Sequence, residues 1–385
     1  MRLDSLADQL ELQRLQKLQV LQSPETVPSN SKVLSTRFVR TWCAKHDDKG
    51  NAIWLRRSRF VAREFAWLER ESLFSPASGS IISRILPTIF LEMRDVEDAI
   101  LASLDVRDAF LTVQQECPTL VHTSDAGGNV RSFALGRVLP GHSDGSLLWY
   151  KAITSYLKKT LDLEEHAPYP SKDNSCIVMI HVDDLLVAGR KSFVLGRFAT
   201  ELRKAYDISM QCMEKPGDEI TFLKRLHVLH HDGRMTIQTH WKHISQLCSL
   251  LGMNPKHQNK KTPAHSDIDR EDTTEDLSGD AASIFRTCVG ILMYLANDVP
   301  HCQYVIRHLS TYSSKPTQKS LTVLKHLVAY LASHSEISVS LKWNGRNSGI
   351  YHGYPDISQC DNVLEVLTDS DWAATGSRAE VFLAA

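Results

Sequence analysis

Three aspartates stand at positions where carboxylates are costly. Asp105 ends the apolar part of SLDVRDAFLTV, and Asp183 and Asp184 are adjacent in HVDDLLVAG, between two runs too apolar to face solvent. A carboxylate in such a place costs several kcal/mol unless it is paired or neutralised, and adjacent like charges raise each other's pKa. Either a hairpin tip that lets the acids reach water or a bound divalent cation would resolve this cost.

Three carboxylates of this kind can hold two Mg²⁺ ions, because Mg²⁺ prefers hard oxygen ligands and keeps some of its waters. Such a pair of ions activates a hydroxyl nucleophile and stabilises the leaving group of an in-line phosphoryl transfer. The aspartates therefore indicate phosphoryl-transfer chemistry, with a polar hairpin tip as the open alternative.

The composition is that of an ordinary folded protein. The chain has 385 residues, of which 42% are apolar and 23% charged, and this length predicts two or three packed units. With 44 Lys and Arg against 45 Asp and Glu, a uniformly basic coat for nucleic acid is excluded, but a local basic groove is not. No apolar run is long enough for a membrane helix, and the N-terminus lacks the apolar stretch of a signal peptide. Eight scattered cysteines without a CxxC pair indicate a reducing, intracellular compartment and no zinc or disulfide scaffold.

The elements that must position the aspartates alternate between helix and strand, which predicts an α+β chain. Leucines at three- and four-residue spacing predict an amphipathic helix over residues 1–22 that docks on another surface, followed by a linker over residues 23–31. Basic and apolar residues interleave over residues 32–63 around the turn KHDDKGN, which predicts a basic β-hairpin. Residues 256–282 are strongly acidic and are interpreted as a solvated linker, with helices to follow.

A series of segments in order resembles the reverse transcriptase region of copia-type retrotransposon Pol polyproteins. SLDVRDAFLTV and HVDDLLVAG resemble its two catalytic palm motifs, with about 80 residues between them. Its fingers resemble WLRRSRFVAREFAW and LFSPASGS, and its template-side loop resembles GRVLPGHSDGSLLWY. Its primer-gripping strand pair resembles TFLKRLHVLHHDGRMTI. Its helical stretch resembles FRTCVGILMYL, and its first RNase H strand resembles LTDSDWAATGSR.

The resemblance implies a right-hand polymerase fold. Fingers and a palm with an antiparallel sheet and helices would occupy residues 32–255, and a helical thumb or connection region would occupy residues 283–345. Residues 346–385 would hold the truncated start of an RNase H-like domain, with Asp369 at the place of its first metal ligand. Because the chain ends soon after that strand, we expect no RNase H activity from it.

The resemblance also assigns roles to the catalytic residues. Asp105, Asp183 and Asp184 would bind two Mg²⁺ ions, or Mn²⁺ in their place, with the carbonyl of Val106 as a further ligand. Phe110 would be a steric gate whose ring lies where a ribose 2′-hydroxyl would sit, which would favour deoxynucleotides.

Other residues would contact the substrates according to the same resemblance. The backbone N–H groups of Asp108 and Ala109 would face the triphosphate. Arg59 and Arg63 would clamp phosphates or the template strand, although a merely solvated hairpin face is the alternative for both. The segment under the templating base pair would supply three more residues, namely Pro140, Gly141 and His142.

Two departures from the family pattern leave two functions open. His181 stands where Tyr is common, and His142 stands where Gln is usual. An RNA-directed DNA polymerase would extend a primer on an RNA or DNA template with deoxynucleoside triphosphates. A decayed retrotransposon fragment would keep only nucleic-acid binding. Either protein is expected in the cytoplasm or nucleus, without membrane contact. An unrelated two-metal nuclease would not explain Phe110.

Overall fold

The computed structural model describes residues 2–28, 30–46, 52–64, 82–95, 97–124, 130–164, 169–171, 175–239, 241–257, 259–334 and 338–343. The chain divides at Lys342. Residues Met1–Lys342 form one unit and Trp343–Ala385 a second, of which only Trp343 is described. The predicted RNase H-like strand, with Asp369, therefore lies outside the described residues.

Helices and strands alternate along the first unit. The helices are α1 (Arg2–Lys17), α2 (Ile82–Met93), α3 (Gly145–Leu161), α4 (Lys191–Phe193), α5 (Ala199–Ala205), α6 (Lys242–Leu250), α7 (Gly279–Leu295), α8 (Gln303–Thr311) and α9 (Gln318–Ser333). The strands are β1 (Leu21–Gln22), β2 (Lys32–His46), β3 (Ala52–Arg63), β4 (Ala99–Val106), β5 (Thr119–Ser124), β6 (Val130–Leu135), β7 (Tyr169–Pro170), β8 (Cys176–His181), β9 (Asp184–Arg190), β10 (Ile208–Met213), β11 (Glu219–Phe222), β12 (Arg225–Leu229), β13 (Met235–Thr239) and β14 (Ser338–Leu341). Among these described residues, no helix is long and apolar enough to cross a membrane.

A central sheet carries the aspartates. Its strand order is β10-β4-β9-β8-β7, and every neighbouring pair is antiparallel. The apolar runs that precede Asp105 and surround Asp183-Asp184 form its inner strands, because helices cover the sheet and bury these runs. Trp149, Ile153 and Phe198 are fully buried in this core. The mixed α and β architecture, with an antiparallel sheet around the aspartates, agrees with the prediction.

A second sheet, called here the hairpin sheet, has the order β1-β6-β5-β2-β3. The predicted basic hairpin is present as the long antiparallel pair β2–β3, and β2 runs parallel to β5 on its other side. Leu15, Leu34 and Phe60 contribute to its core. The hairpin is therefore anchored at its base in a packed sheet.

The predicted helix over residues 1–22 is too long, and of its leucines the N-terminal ones do not form the docking face, whereas Leu15 is buried. The helix ends at Lys17, and after Gln19, which has a φ of +57°, the chain enters β1. Leu3, Leu6 and Leu10 are 60%, 52% and 57% exposed. The acidic side of the helix faces the sheet instead, because arginines there supply its partners.

A third sheet with the order β11-β12-β13-β14 and helices α6 to α9 complete the unit. The described residues of the segment 256–282, interpreted as a solvated linker, are mostly exposed, but a few of its side chains are buried. Ile268 and Leu277 are buried in the helical core around Phe285, and the backbone N–H of Leu277 donates to the carbonyl of Pro316. The few apolar side chains of this acidic segment are enough to fix it against the helices.

Candidate active site

The central sheet brings Asp105 directly opposite Asp184, as cross-strand partners at the ends of β4 and β9. Residues opposite each other in an antiparallel pair lie on one face, with Cβ atoms about 4.5–5.5 Å apart. Asp105 is exposed, whereas Leu104 and Val106 on either side of it are buried. The strand therefore ends with its carboxylate on the open side of the sheet.

The turn between β8 and β9 is held by two hydrogen bonds. Val182 has a φ of +57°, a left-handed conformation that is rare for a β-branched residue. The indole N–H of Trp149 donates to the carbonyl of Val182 over 2.6 Å. The backbone N–H of Val106 donates to the carbonyl of Asp183 over 3.0 Å. The two aspartate motifs are thus joined directly through their backbones.

The electrostatics of the site suit a divalent cation. Burial, together with the negative charges of Asp183 and Asp105, raises the pKa of Asp184 to about 6. A raised pKa means that the surroundings of Asp184 disfavour its ionised form. A hard cation that prefers oxygen ligands would supply the positive charge that stabilises this form. Carboxylate oxygens are the donor type that Mg²⁺ and Mn²⁺ prefer.

The predicted gathering of three carboxylates is only partly present. Within the described ranges, no three side chains of the His, Cys, Asp or Glu type are close enough together to hold a metal ion. Asp105 and Asp184 share a face of the sheet, but three like charges repel one another, so the side chains would have to turn toward a cation. Metal binding itself stays a prediction.

His181, the first departure from the family pattern, is the neighbour of Asp184 on β8. His181, Asp184 and Asp105 consequently form a row across three adjacent strands. Burial lowers the pKa of His181 and outweighs the opposite effect of Asp183, which favours the neutral ring. Its Nδ1 atom is buried and has no hydrogen-bond partner in the described part of the chain.

The loop that follows β4 carries the residues predicted to contact the nucleotide. Asp108 has a left-handed backbone with a φ of +52° and precedes a short 3₁₀ turn, Ala109–Thr112. Ala109 is buried, and the ring of Phe110 is half-buried. A Cβ atom added to Gly145 would lie 3.4 Å from Cδ1 of Phe110. The ring of Phe110 thus lies against the backbone of Gly145, where a larger residue would crowd it.

The segment Pro140 to His142 is docked on β3. The backbone N–H of Ala62 donates to the carbonyl of Pro140 over 2.9 Å. Gly141 has a φ of +89°, and a Cβ atom there would lie 2.2 Å from the carbonyl oxygen of Ala62. Glycine is therefore required at this position by both conformation and space.

His142 is placed differently from its prediction as a substrate-contacting residue. Its side chain is 2% exposed, and its Nδ1 atom lies 3.6 Å from Oε2 of Glu64. Its Nε2 atom lies 3.3 Å from Nε2 of Gln115. Because both nitrogens already face protein groups inside the fold, the ring holds the loop in place and does not face an open cleft.

Glu64 is a buried charge that the sequence analysis did not single out. Its side chain is 1% exposed and forms an ion pair with Lys32, and it accepts the backbone N–H of Ser143 over 3.0 Å. Burial alone would raise the pKa of Glu64, but the hydrogen bonds from Lys32 and Ser143 lower it to about 2. The residue ties the end of β3 to the loop of His142. Nothing in its local pattern distinguishes it from a surface glutamate.

The β2–β3 hairpin sorts its arginines onto two faces. Arg57, Arg59 and Arg63 alternate along β3 on an exposed face, and Arg37 joins them from β2, opposite Val61. No carboxylate among the described residues lies within ion-pair distance of Arg37, Arg57 or Arg59. Arg59 and Arg63 were predicted from the sequence. Arg37 and Arg57 are added by the strand register, which the sequence alone does not determine.

The opposite face of the hairpin is neutralised. Arg40 forms an ion pair of 2.7 Å with Asp8, and Arg56 forms one of 2.6 Å with Asp4, both on α1. The hydroxyl of Ser58 donates to Asp8 over 2.6 Å. The local excess of basic residues is therefore available to a ligand on one face of the hairpin.

The strand pair predicted to grip a primer faces the aspartates. Leu223 and Lys224, both with positive φ, form the turn between β11 and β12. A cavity of about 710 Å³ extends from this turn to the aspartates, and its lining includes Lys224, Arg84, His181, Asp183, Asp184 and Asp298. The third sheet and the aspartate turn thus border one open space.

No model of a known protein family matches the chain. It is 23% identical over 349 residues to the retrovirus-related Pol polyprotein from transposon RE1 of Arabidopsis thaliana. The aligned region covers 86% of this chain and 22% of that protein. It is 22% identical over 376 residues to the corresponding polyprotein from transposon TNT 1-94 of Nicotiana tabacum, across 93% of this chain and 27% of that protein. The chain is a relative of retrotransposon Pol polyproteins. The predicted family relationship is thus confirmed.

The chain spans about a quarter of the length of these retrotransposon Pol polyproteins. Among solved structures, a foamy viral protease–reverse transcriptase in complex with double-stranded DNA matches 89% of this chain and 49% of its own, with a TM-score of 0.47 and 13% identity. A telomerase from Candida albicans in complex with a fragment of telomeric RNA matches 89% of this chain and 66% of its own, with a TM-score of 0.39 and 11% identity. At these TM-scores the likeness is loose.

Proposed function

We propose that the chain is the RNA-directed DNA polymerase part of a retrotransposon Pol polyprotein and extends a primer by two-metal nucleotidyl transfer. The observation that carries the proposal is the cross-strand pairing of Asp105 with Asp184, with Asp183 in the adjoining turn. The relationship to Pol polyproteins of transposons supports it. The substrates would be deoxynucleoside triphosphates and a primer on an RNA or DNA template.

Each catalytic residue has a physical task in this proposal. Asp105, Asp183 and Asp184, with the carbonyl of Val106, would hold the cations. When bound, two such ions activate the primer 3′-hydroxyl and stabilise the leaving pyrophosphate. The hydrogen bond from the Val106 N–H to the Asp183 carbonyl keeps the two motifs in register, and Phe110 would lie beside the sugar of the incoming nucleotide.

The larger elements take the parts of a right-hand polymerase. The hairpin sheet would be the fingers, with the exposed arginine face toward phosphates, and the central sheet would be the palm. Helices α7 to α9 would be the thumb or connection region. Pro140 and Gly141 would lie under the templating base pair, because their segment is docked on β3 near Arg63.

A primer-extension assay tests the proposal. Purified chain is given a primed poly(rA) template, thymidine triphosphate and Mg²⁺ or Mn²⁺, with Asp183→Asn and Asp184→Asn as matched variants. We expect extension by the parent chain only, and loss of extension with a chelator. If folded parent chain makes no more product than Asp184→Asn, the polymerase proposal is wrong.

The steric gate has its own variant within this assay. Phe110→Ala should admit ribonucleotides and reduce discrimination against them by roughly 2–3 kcal/mol, the scale of a steric or unpaired polar penalty. Unchanged rejection of ribonucleotides by an active Phe110→Ala variant would remove Phe110 from this role while leaving the polymerase proposal intact.

A decayed fragment that only binds nucleic acid is the second candidate. The unpartnered Nδ1 of His181 beside Asp184 favours it, because a buried nitrogen without a partner is costly where a catalytic site needs order. This candidate predicts that the chain retains a primed template in a gel-shift assay and yet adds no nucleotide with either cation.

A further inference from the structure

Helix α1 is attached to the hairpin sheet mainly by charged groups. Asp4 and Asp8 bind arginines of β2 and β3, and Leu15 is the buried anchor at the C-terminal end of the helix. These contacts fix both ends of the helix along the sheet. The position of the residues in its last turn is therefore well defined.

Arg14 in that turn bridges to the loop that follows Asp105. Its guanidinium binds both carboxylate oxygens of Glu11, over 2.8 and 3.1 Å, which fixes its direction. Its Nη1 atom donates to Oδ2 of Asp108 over 2.6 Å. Asp108 is the residue of the loop with a left-handed backbone, a conformation that aspartate adopts more readily than most residues. The ion pair therefore acts at the left-handed position of the loop.

We propose that Arg14 is a positioning residue for the incoming nucleotide. By holding Asp108, it keeps the turn between Asp105 and Phe110 in the shape that receives a deoxynucleoside triphosphate. This inference rests on the proposed function and extends the nucleotide site to a helix outside the segments that resemble the family. The side chains of Arg14 and Asp108 are 38% and 45% exposed, so the pair adds little to overall stability, and its effect falls on the shape of the turn.

Arg14 acts through Asp108 in this proposal and does not itself bind the triphosphate. Three of its five N–H donors are directed at the carboxylates of Glu11 and Asp108. If Arg14 instead exchanged Asp108 for a phosphate of the nucleotide, the ion pair would be a latch that competes with the nucleotide. The two possibilities predict opposite effects when Arg14 is removed.

The test measures nucleotide affinity without turnover. The chain is bound to a primed template whose primer ends in a dideoxynucleotide, so that no nucleotide can be added. We then measure the concentration of the next deoxynucleoside triphosphate at which half of the complexes are stabilised. Arg14→Ala should raise this concentration about tenfold, and Arg14→Lys should restore part of the loss. Asp4→Asn, which removes an equally short ion pair of the same helix, is the control and should change it less than twofold.

A double-mutant cycle separates positioning from a merely structural role. Asp108→Asn tolerates the left-handed backbone and removes the charge, so it should resemble Arg14→Ala. The double variant should be no worse than either single variant, because both remove the same interaction. The affinity for the primed template and the melting temperature should stay at the values of the Asp4→Asn control.

The outcomes distinguish this inference from the proposed function. An unchanged nucleotide requirement in Arg14→Ala, or a lower one as expected of a latch, overturns the inference even if the parent chain extends primers. If the parent chain forms a nucleotide-dependent complex but does not extend a primer, the polymerase proposal is wrong. The comparison of the Arg14 variants in the binding assay then still decides the role of Arg14. A parent chain that forms no nucleotide-dependent complex overturns both.

Discussion

The indole N–H of Trp149 donates to the carbonyl of Val182 over 2.6 Å, and this bond joins the buried face of α3 to the turn that carries Asp183. Trp149 is fully buried and meets Tyr206 edge-to-face, with ring centroids 5.4 Å apart. Because Val182 has a left-handed backbone, the turn is strained, and such strain persists only where surrounding contacts enforce it. The core of the central sheet thus determines the shape of the aspartate turn.

Replacing Trp149 by Phe should therefore affect stability and catalysis together. The change leaves the Val182 carbonyl without its donor, at a cost of about 1–3 kcal/mol. We expect a lower melting temperature, a lower kcat for primer extension and an unchanged affinity for primed template. Trp241→Phe, at a residue 36% exposed, is the control and should lie within about 0.5 kcal/mol of the parent. A kcat equal to the parent's in Trp149→Phe would show that the turn keeps its shape without this bond.

Asp184→Asn should stabilise the chain in the absence of divalent cations while abolishing extension. The pKa of Asp184 is raised to about 6, so at pH 7 its folded state carries an ionised group that its surroundings disfavour. Removing that charge should raise the free energy of unfolding by about 1–2 kcal/mol, less than the full shift implies because the group is only partly buried. Urea unfolding in a chelator at pH 7 measures this.

Asp207→Asn provides the control for this comparison, because Asp207 is 67% exposed and pairs with Arg107 at the surface. It should show no gain in stability. If Asp184→Asn is less stable than the parent in chelator, groups of the protein already compensate the carboxylate, and no cation is needed to neutralise it.

The two faces of the β2–β3 hairpin should differ in their contribution to template binding. Arg57→Ala combined with Arg59→Ala removes two charges from the exposed face, and each phosphate contact contributes about 0.7–0.9 to the slope of log affinity against log salt. We expect this slope to fall by about 1.4–1.8, as measured by fluorescence anisotropy of a labelled template. Arg40→Ala, on the face neutralised by Asp8, should leave it nearly unchanged. Equal slopes for both variants would contradict the assignment of faces.

The apolar strands beside Asp105 and Asp184 could be predicted from the sequence because local pattern and global fold agree there. The expectation that these aspartates lie together came from the resemblance to polymerase motifs. Asp105 and Asp184 each adjoin an apolar run that is long enough for a central strand, and a strand of this kind can place its terminal polar residue only at the edge of the core. The basic hairpin was predicted for a similar reason, from alternation around a turn.

The missed features depend on contacts between distant parts of the chain. The leucines of α1 have helical spacing, but the ion pairs with Arg40 and Arg56 orient the helix by its acidic side, and no local pattern reveals partners so far along the chain. The partner groups of Glu64 likewise come from two other segments, β2 with Lys32 and the loop with His142 and Ser143. In the acidic segment, Ile268 and Leu277 were too sparse to form a period, yet both are buried.

Glu64 should make stability depend on pH in the acid range. Its pKa lies at about 2 in the folded chain, against an ordinary value of 4.5, because Lys32 and Ser143 stabilise its charged form and His142 adds to this. A lowered pKa stabilises the folded state fully above about pH 4.5, and this contribution is lost as the pH falls toward 2. The shift corresponds to about 3 kcal/mol at neutral pH.

Glu64→Gln removes this titration and isolates its share of the acid sensitivity. The variant should be less stable than the parent at pH 7, because Lys32 loses its buried partner and a broken buried pair leaves an uncompensated charge. The difference between the two chains should shrink steadily as the pH is lowered from about 4.5 toward 2, because the unfolded parent binds a proton at Glu64 at a higher pH than the folded parent does. Urea unfolding at each pH gives the two curves, and Glu25→Gln, at an exposed residue, should follow the parent throughout. Parallel curves for the parent and Glu64→Gln would mean that the charge of Glu64 does not hold the end of β3 to the loop of His142.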